Sequence, residues 1–107
     1  MLFRSEWVRA AAPGKDAYIT ECSSGDWQKE WPETFRSMVG TVLIDGIRAG
    51  ARAVVLWNLA LDEDHGPHVG GCKNCRGLVT LDAQGRIERH AEYYALAHIA
   101  QIGRAHV

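Results

Sequence analysis

Glu21 sits in the run Thr20-Glu21-Cys22-Ser23-Ser24-Gly25-Asp26-Trp27, directly after the β-prone residues Ala17-Tyr18-Ile19-Thr20. Parallel α/β architectures place the residues that act on a ligand at the C-terminal lips of their strands, so a carboxylate delivered there is well placed for chemistry. A second run, Ala53-Val54-Val55-Leu56-Trp57-Asn58-Leu59-Ala60-Leu61-Asp62, again carries an apolar strand into Trp57 and Asn58. Trp27 and Trp57 offer flat apolar faces and Asn58 an amide. Aromatic lining with a few polar groups is what holds a small hydroxylated ring. Core packing is the competing reading for the two tryptophans, and a solvated strand-end charge is the competing reading for Glu21.

His65, His68, Cys72 and Cys75 form a second constellation, spaced His-x2-His-x3-Cys-x2-Cys. Four nitrogen and sulfur donors in so short a span suit tetrahedral zinc, which makes a small zinc-stabilised binding domain organised by residues 65–75 the alternative reading of the chain. Otherwise Cys72 and Cys75 pair as a disulfide or stay as free thiols. A redox-active pair is disfavoured, because that chemistry wants the motif at a helix start and this one lies among glycines. Cys22 reads as a small, buried, unreactive residue. His90, His98 and His106 lie on or near the last helical stretch, and His98 reads as structural.

Helices and strands position these groups. Residues 1–16 pattern as a short amphipathic helix ending near Ala12-Pro13-Gly14. After the Glu21 loop, Trp31-Pro32-Glu33 makes a helix start, with proline tolerated in the first turn and an acid favoured at the positive end of the dipole. Phe35, Met38, Val39, Val42, Leu43 and Ile47 then recur at three- and four-residue steps, one buried face of a helix that Gly50 stops. Gly40 and Gly46 weaken it, and either let it pack closely on the strands or are only poor helix formers. Residues 51–57 read as a strand covered on both faces. Strand, helix and strand form one crossover unit whose parallel strands end on the same edge, so Glu21 and Trp57-Asn58 become neighbours. Residues 58–77 read as one long loop, a length usually reserved for function. Leu78 to Glu88 read as a small hairpin turning at Asp82-Ala83-Gln84-Gly85, before a final helix marked by Tyr93, Leu96, Ile99 and Ala100, with Tyr93 and Tyr94 packing inward.

The Thr-Glu-Cys-Ser motif, Leu56 to Asp62, His65-Gly66-Pro67, Gly70-Gly71-Cys72, Cys75-Arg76-Gly77 and Tyr93-Tyr94-Ala95-Leu96-Ala97-His98 together resemble the last quarter of the catalytic domain of glycoside hydrolase family 30, the glucosylceramidase and endo-β-1,6-glucanase family. The likeness covers roughly residues 14–100. It implies a (β/α)8 barrel in which Glu21 matches the nucleophile after the seventh strand, while Trp57 and Asn58 match the pocket wall after the eighth. A complete barrel of this kind needs at least about 200 residues. At 107 residues the expectation is therefore an α/β fragment, about the last two βα units with a small β-hairpin before the last helix, and no second domain.

Retaining glycoside hydrolysis needs one carboxylate to attack the anomeric carbon and a second carboxyl group, about 5–5.5 Å away, to protonate the leaving oxygen. Glu21 supplies the first. The resemblance places the second in an Asn-Glu-Pro-like segment after the fourth strand, which has no counterpart here. Asp26, Asp62, Glu63 and Asp64 are candidates by chemistry alone, and the last three read as solvated loop charges. The isolated chain is therefore expected to be inactive. The resemblance implies a carbohydrate or glycolipid substrate of β-glucosyl type and no cofactor, and relatives of this kind are often secreted.

A net charge of −1 without a Lys/Arg block argues against nucleic acid or an anionic membrane as the main partner. No apolar run approaches the ~20 residues that span a bilayer, and Met1 leads into no signal-peptide pattern. Read as written, the chain is soluble and unexported.

Overall fold

The computed structural model describes residues 10–104, and their side chains as far as residue 101. Most of the helix expected over residues 1–16, and His106, lie outside that range.

Strand β1 (Ala17–Ile19) and strand β3 (Ala51–Val54) pair in parallel, with Tyr18 opposite Ala53 and Ile19 opposite Val54. A helical rod connects them and is built in three consecutive segments. Helix α1 (Trp31–Arg36) passes into a π-helical segment (Ser37–Ile44) and then into α2 (Asp45–Arg48). The start follows the sequence signals, with proline in the first turn and Glu33 at the positive end of the dipole. At the other end Gly50 takes φ 96° and its N–H bonds to the Ile47 carbonyl, the left-handed stop that glycine permits.

The π segment departs from the expected regular helix, and packing shows its use. Met38 and Leu43, five residues apart, are both buried, 2% and 3% exposed, in one cluster with Ala95. At 3.6 residues per turn these two would be rotated about 140° from each other. An i→i+5 ladder, seen in the Asp45 N–H to Gly40 carbonyl bond, stacks them on one face. Phe35, Val39, Val42, Val54, Leu56, Leu96 and Ile99 pack around that cluster. Ile47, expected on the buried face, is exposed. Gly40 is no close-packing residue either, because a Cβ there would meet nothing.

Residues 51–57 are not covered on both faces. Arg52 is exposed and Val55 is 52% exposed, as Tyr18 is at 58%, because among the described residues the β1–β3 ladder has no third strand. The stretch 58–77 carries structure of its own. Strand β2 (Ser24–Gly25) pairs antiparallel with β5 (Cys75–Arg76), and β4 (Ala60–Leu61) runs parallel to β6 (Val79–Leu81). The hairpin expected after Leu78 is β6 with β7 (Ile87–Arg89), joined through Gly85 at φ 80°. Asp82 holds its turn by accepting from the N–H groups of Gln84 and Arg86, and these bonds together with the Arg86 side chain push its carboxyl below the usual range. Helix α3 (Ala91–Arg104) closes the fold. Tyr94 lies at its exposed edge, 45% exposed, rather than packed inward. Among the described residues no helix is long and apolar enough to cross a membrane.

Candidate active site

The two strands end side by side. Val55 N–H donates to the Ile19 carbonyl at 2.8 Å and Trp57 N–H to the Cys22 carbonyl at 2.8 Å. Along this ladder the donor advances two residues while the acceptor advances three, so one extra residue is accommodated at Thr20-Glu21. That is a bulge, the device that re-aims a side chain at the end of a strand. Glu21 therefore stands exposed on the lip, one residue before the backbone contact to Trp57. Trp57 and Asn58 are half-buried beside it. The crossover thus brings Glu21 together with Trp57 and Asn58 on one edge.

Asn58 is partly committed to its own loop. Its Oδ1 accepts from Ala60 N–H at 3.1 Å, and its carbonyl accepts from Leu78 N–H at 3.3 Å. What remains for a ligand is the amide NH2. Trp27 lies further along the loop, 53% exposed. A Cβ on Gly25 would run into Trp27 Cζ3 and the Asn74 carbonyl oxygen, so the indole packs on bare backbone. Only glycine leaves room for that contact.

The loop 22–28 is tied on several sides. Its β2 residues pair with β5, and Asp26 N–H donates to the Asn74 carbonyl at 3.0 Å. Ser23 Oγ lies 3.5 Å from Cys75 Sγ. Cys72 and Cys75 form a disulfide with Cα atoms 5.6 Å apart. This withdraws both sulfurs from the four-ligand zinc alternative. Of its nitrogen donors, His65 Nε2 lies 2.9 Å from Asp26 Oδ2, while His68 is exposed on the loop. Among the described residues no group of three or more His, Cys, Asp or Glu side chains converges to hold a metal ion. The reading of residues 65–75 as a zinc-organised domain is therefore set aside, since a disulfide leaves no thiolate to ligate.

Asp62 is not the free loop charge expected. Its Oδ1 accepts from Asp64 N–H at 3.0 Å and Gly66 N–H at 2.6 Å, which shapes the turn that presents His65 at φ 60°. Glu63 and Asp64 are exposed. Cys22 is half-buried rather than buried, with Sγ 3.5 Å from the Val55 carbonyl oxygen, and partial burial pushes its thiol pKa up. A raised pKa makes it a poor nucleophile. His90 bonds Thr80 Oγ1 at 2.7 Å, and His98 lies exposed at the edge of α3 with its ring edge-on to Phe35.

Two residues to which the sequence assigned no role complete the surroundings: Arg76, within the Cys75-Arg76-Gly77 motif, and Glu92. Glu92 is 2% exposed and accepts from Ser24 Oγ, and from Arg76 Nε at 3.2 Å. A glutamate on the inward face of a helix start was the only signal available for it.

No family model matches the chain. Two curated relatives are an endo-1,6-β-D-glucanase of Neurospora crassa, 32% identical over 95 residues, and one of Trichoderma harzianum, 31% identical over 94 residues. The alignments take in 85% and 83% of this chain but 19% and 17% of theirs, so it spans less than a fifth of their length. Among solved structures, the endo-β1,6-glucanase BT3312 superposes with a TM-score of 0.74 at 32% identity, covering 89% of this chain and 22% of its own. SrfJ from Salmonella typhimurium gives 0.68 over 89% of this chain and 22% of its own, and at 23% identity it speaks for the fold alone. The chain is thus an α/β unit similar in sequence to part of the endo-1,6-β-glucanases, and its fold matches a region of one of them.

Proposed function

We propose that residues 1–107 are part of the catalytic domain of a retaining β-glycosidase, about the last two βα units of a (β/α)8 barrel, acting on β-1,6-glucan. Of the two substrate classes implied by the family resemblance, glucan and glycolipid, the first is preferred because the relatives are named as 1,6-β-glucanases. The observation that carries the reading is the shared edge. A carboxylate on a strand-end bulge stands next to a tryptophan and an asparagine brought there by a parallel crossover.

In this reading Glu21 attacks the anomeric carbon and forms a glycosyl-enzyme ester, which water then cleaves with overall retention. Trp57 provides the apolar wall for the sugar ring, and the NH2 of Asn58 donates to a ring hydroxyl. Trp27 is a second platform. The acid that protonates the leaving oxygen comes from the remainder of the barrel, so the 107 residues alone are inactive. A barrel strand beside β1 or β3 would also cover the exposed Tyr18 and Val55.

The test is intact-mass analysis with an epoxide cyclitol β-glucoside trap, on this chain and on the longest translated reading frame containing it. Labelling of the long form at Glu21, absent in Glu21→Gln, is the expected result. The same substitution should lower glucan hydrolysis by about 10⁴-fold or more. A long form that hydrolyses β-1,6-glucan while Glu21→Gln keeps full rate would overturn the assignment.

A further inference from the structure

Glu92 is the largest fully buried side chain among the described residues, and nothing in the proposed reaction uses it. A carboxylate in such a place is costly unless it is paired and hydrogen-bonded. Its Oε1 accepts from Ser24 Oγ and from Arg76 Nε, while Oε2 has no hydrogen-bond partner among the described residues. The Arg76 guanidinium, 18% exposed, spreads the hold further. Nη2 donates to the Gln28 carbonyl at 3.0 Å and to Thr34 Oγ1 at 3.4 Å, and Nη1 lies 3.7 Å from Asp26 Oδ1. Ser24, Asp26 and Gln28 are therefore each gripped by the same ion pair. A planar guanidinium with five fixed donors can do this, and a lysine ammonium cannot.

Among the described residues no ion pair reaches Glu21. The backbone on either side of it is held. Upstream lies the β1–β3 ladder; downstream lies the loop held by Arg76 and Glu92. We infer that Arg76 and Glu92 are positioning residues for Glu21: a buried clamp on residues 24–28 that fixes where the Thr20-Glu21 bulge points its carboxylate. This rests on Glu21 being the nucleophile. Alignment of the attacking atom is worth large factors in rate, and a displacement of about 1 Å costs about a hundredfold.

Arg76→Ala, Arg76→Lys and Glu92→Gln are compared with the parent in the longest reading frame containing the chain, by two readouts. In amide hydrogen exchange, residues 22–28 should exchange at least about tenfold faster in Arg76→Ala, over and above any acceleration that the helical rod 31–48 shares through the lowered global stability. In labelling by the epoxide cyclitol, the maximal rate should fall about 10- to 100-fold in Arg76→Ala with the half-saturating concentration within about twofold. Glu92→Gln keeps an acceptor for Ser24 and the same volume, so it should fold and lose less. Arg76→Lys should rescue little. Exchange over 22–28 accelerated no more than over the rod, or a loss confined to the half-saturating concentration, overturns the clamp. A labelled parent with unaffected variants removes the positioning role alone, whereas a parent that takes no label removes that role together with the glycosidase reading.

Discussion

The β1–β3 ladder and the 22–28 loop are adjacent in the chain and are held in opposite ways. The ladder is a backbone structure, with parallel hydrogen bonds running from Ala17 to Cys22 while Tyr18, Arg52 and Val55 stand exposed on it. Among the described residues its one charged contact is Arg52 to Asp16 at 2.8 Å, with both side chains more than half exposed. The loop has little regular backbone pairing and is fixed by side chains: a buried Arg76–Glu92 pair, the Asp26–His65 contact and a disulfide. Desolvated charges hold geometry more firmly than exposed ones, because a broken buried pair strands a charge where water cannot reach it. The strand pair is thus left open for neighbours, while the loop following Glu21 is completed from within these residues.

Substitutions on the two sides should separate accordingly. Arg76→Ala should be the most damaging, costing about 3–5 kcal/mol as it leaves Glu92 buried and unpaired; urea unfolding followed by tryptophan fluorescence measures it. A midpoint shift no greater than that of a surface variant would erase the distinction. Gly25→Ala comes next, at about 1–3 kcal/mol, because the new methyl must push aside Trp27 and the Asn74 carbonyl. Near-ultraviolet circular dichroism should report the displaced indole. Opening the disulfide by Cys72→Ser should cost less than the ~3 kcal/mol expected for closing a 15-residue loop, since the ring here is far shorter. Faster exchange of the Asp26 amide, bonded to Asn74, is its local signature. Arg52→Ala should leave the thermal midpoint unchanged, as exposed pairs contribute little.

Much of the fold was legible because periodicity and punctuation report local rules. The strand before Glu21, the helix start at Trp31-Pro32-Glu33, the stop at Gly50, the turn at Asp82–Gly85 and the final helix all follow from propensity and dipole arguments. The juxtaposition of Glu21 with Trp57 and Asn58 was legible too, since a parallel crossover leaves both strand ends on one edge. The π segment was not, because the pattern Phe35, Met38, Val39, Val42, Leu43 fits a regular helix until Ala95 requires Met38 and Leu43 on one face. Short strands such as Ser24–Gly25 and Cys75–Arg76 carry too few residues for any period.

Nearest neighbours and chain connectivity are written in the sequence, and they set the main elements and the strand edge that carries the carboxylate. The bulge at Thr20-Glu21, the pairing of His65 with Asp26 and the ion pair of Arg76 with Glu92 came from tertiary structure. Each of these depends on a partner distant in the chain: Trp57 across the ladder, Asp26 against His65, and Glu92 sixteen residues beyond Arg76. Buried charge and register are properties of the assembled pair, so neither residue announces them alone.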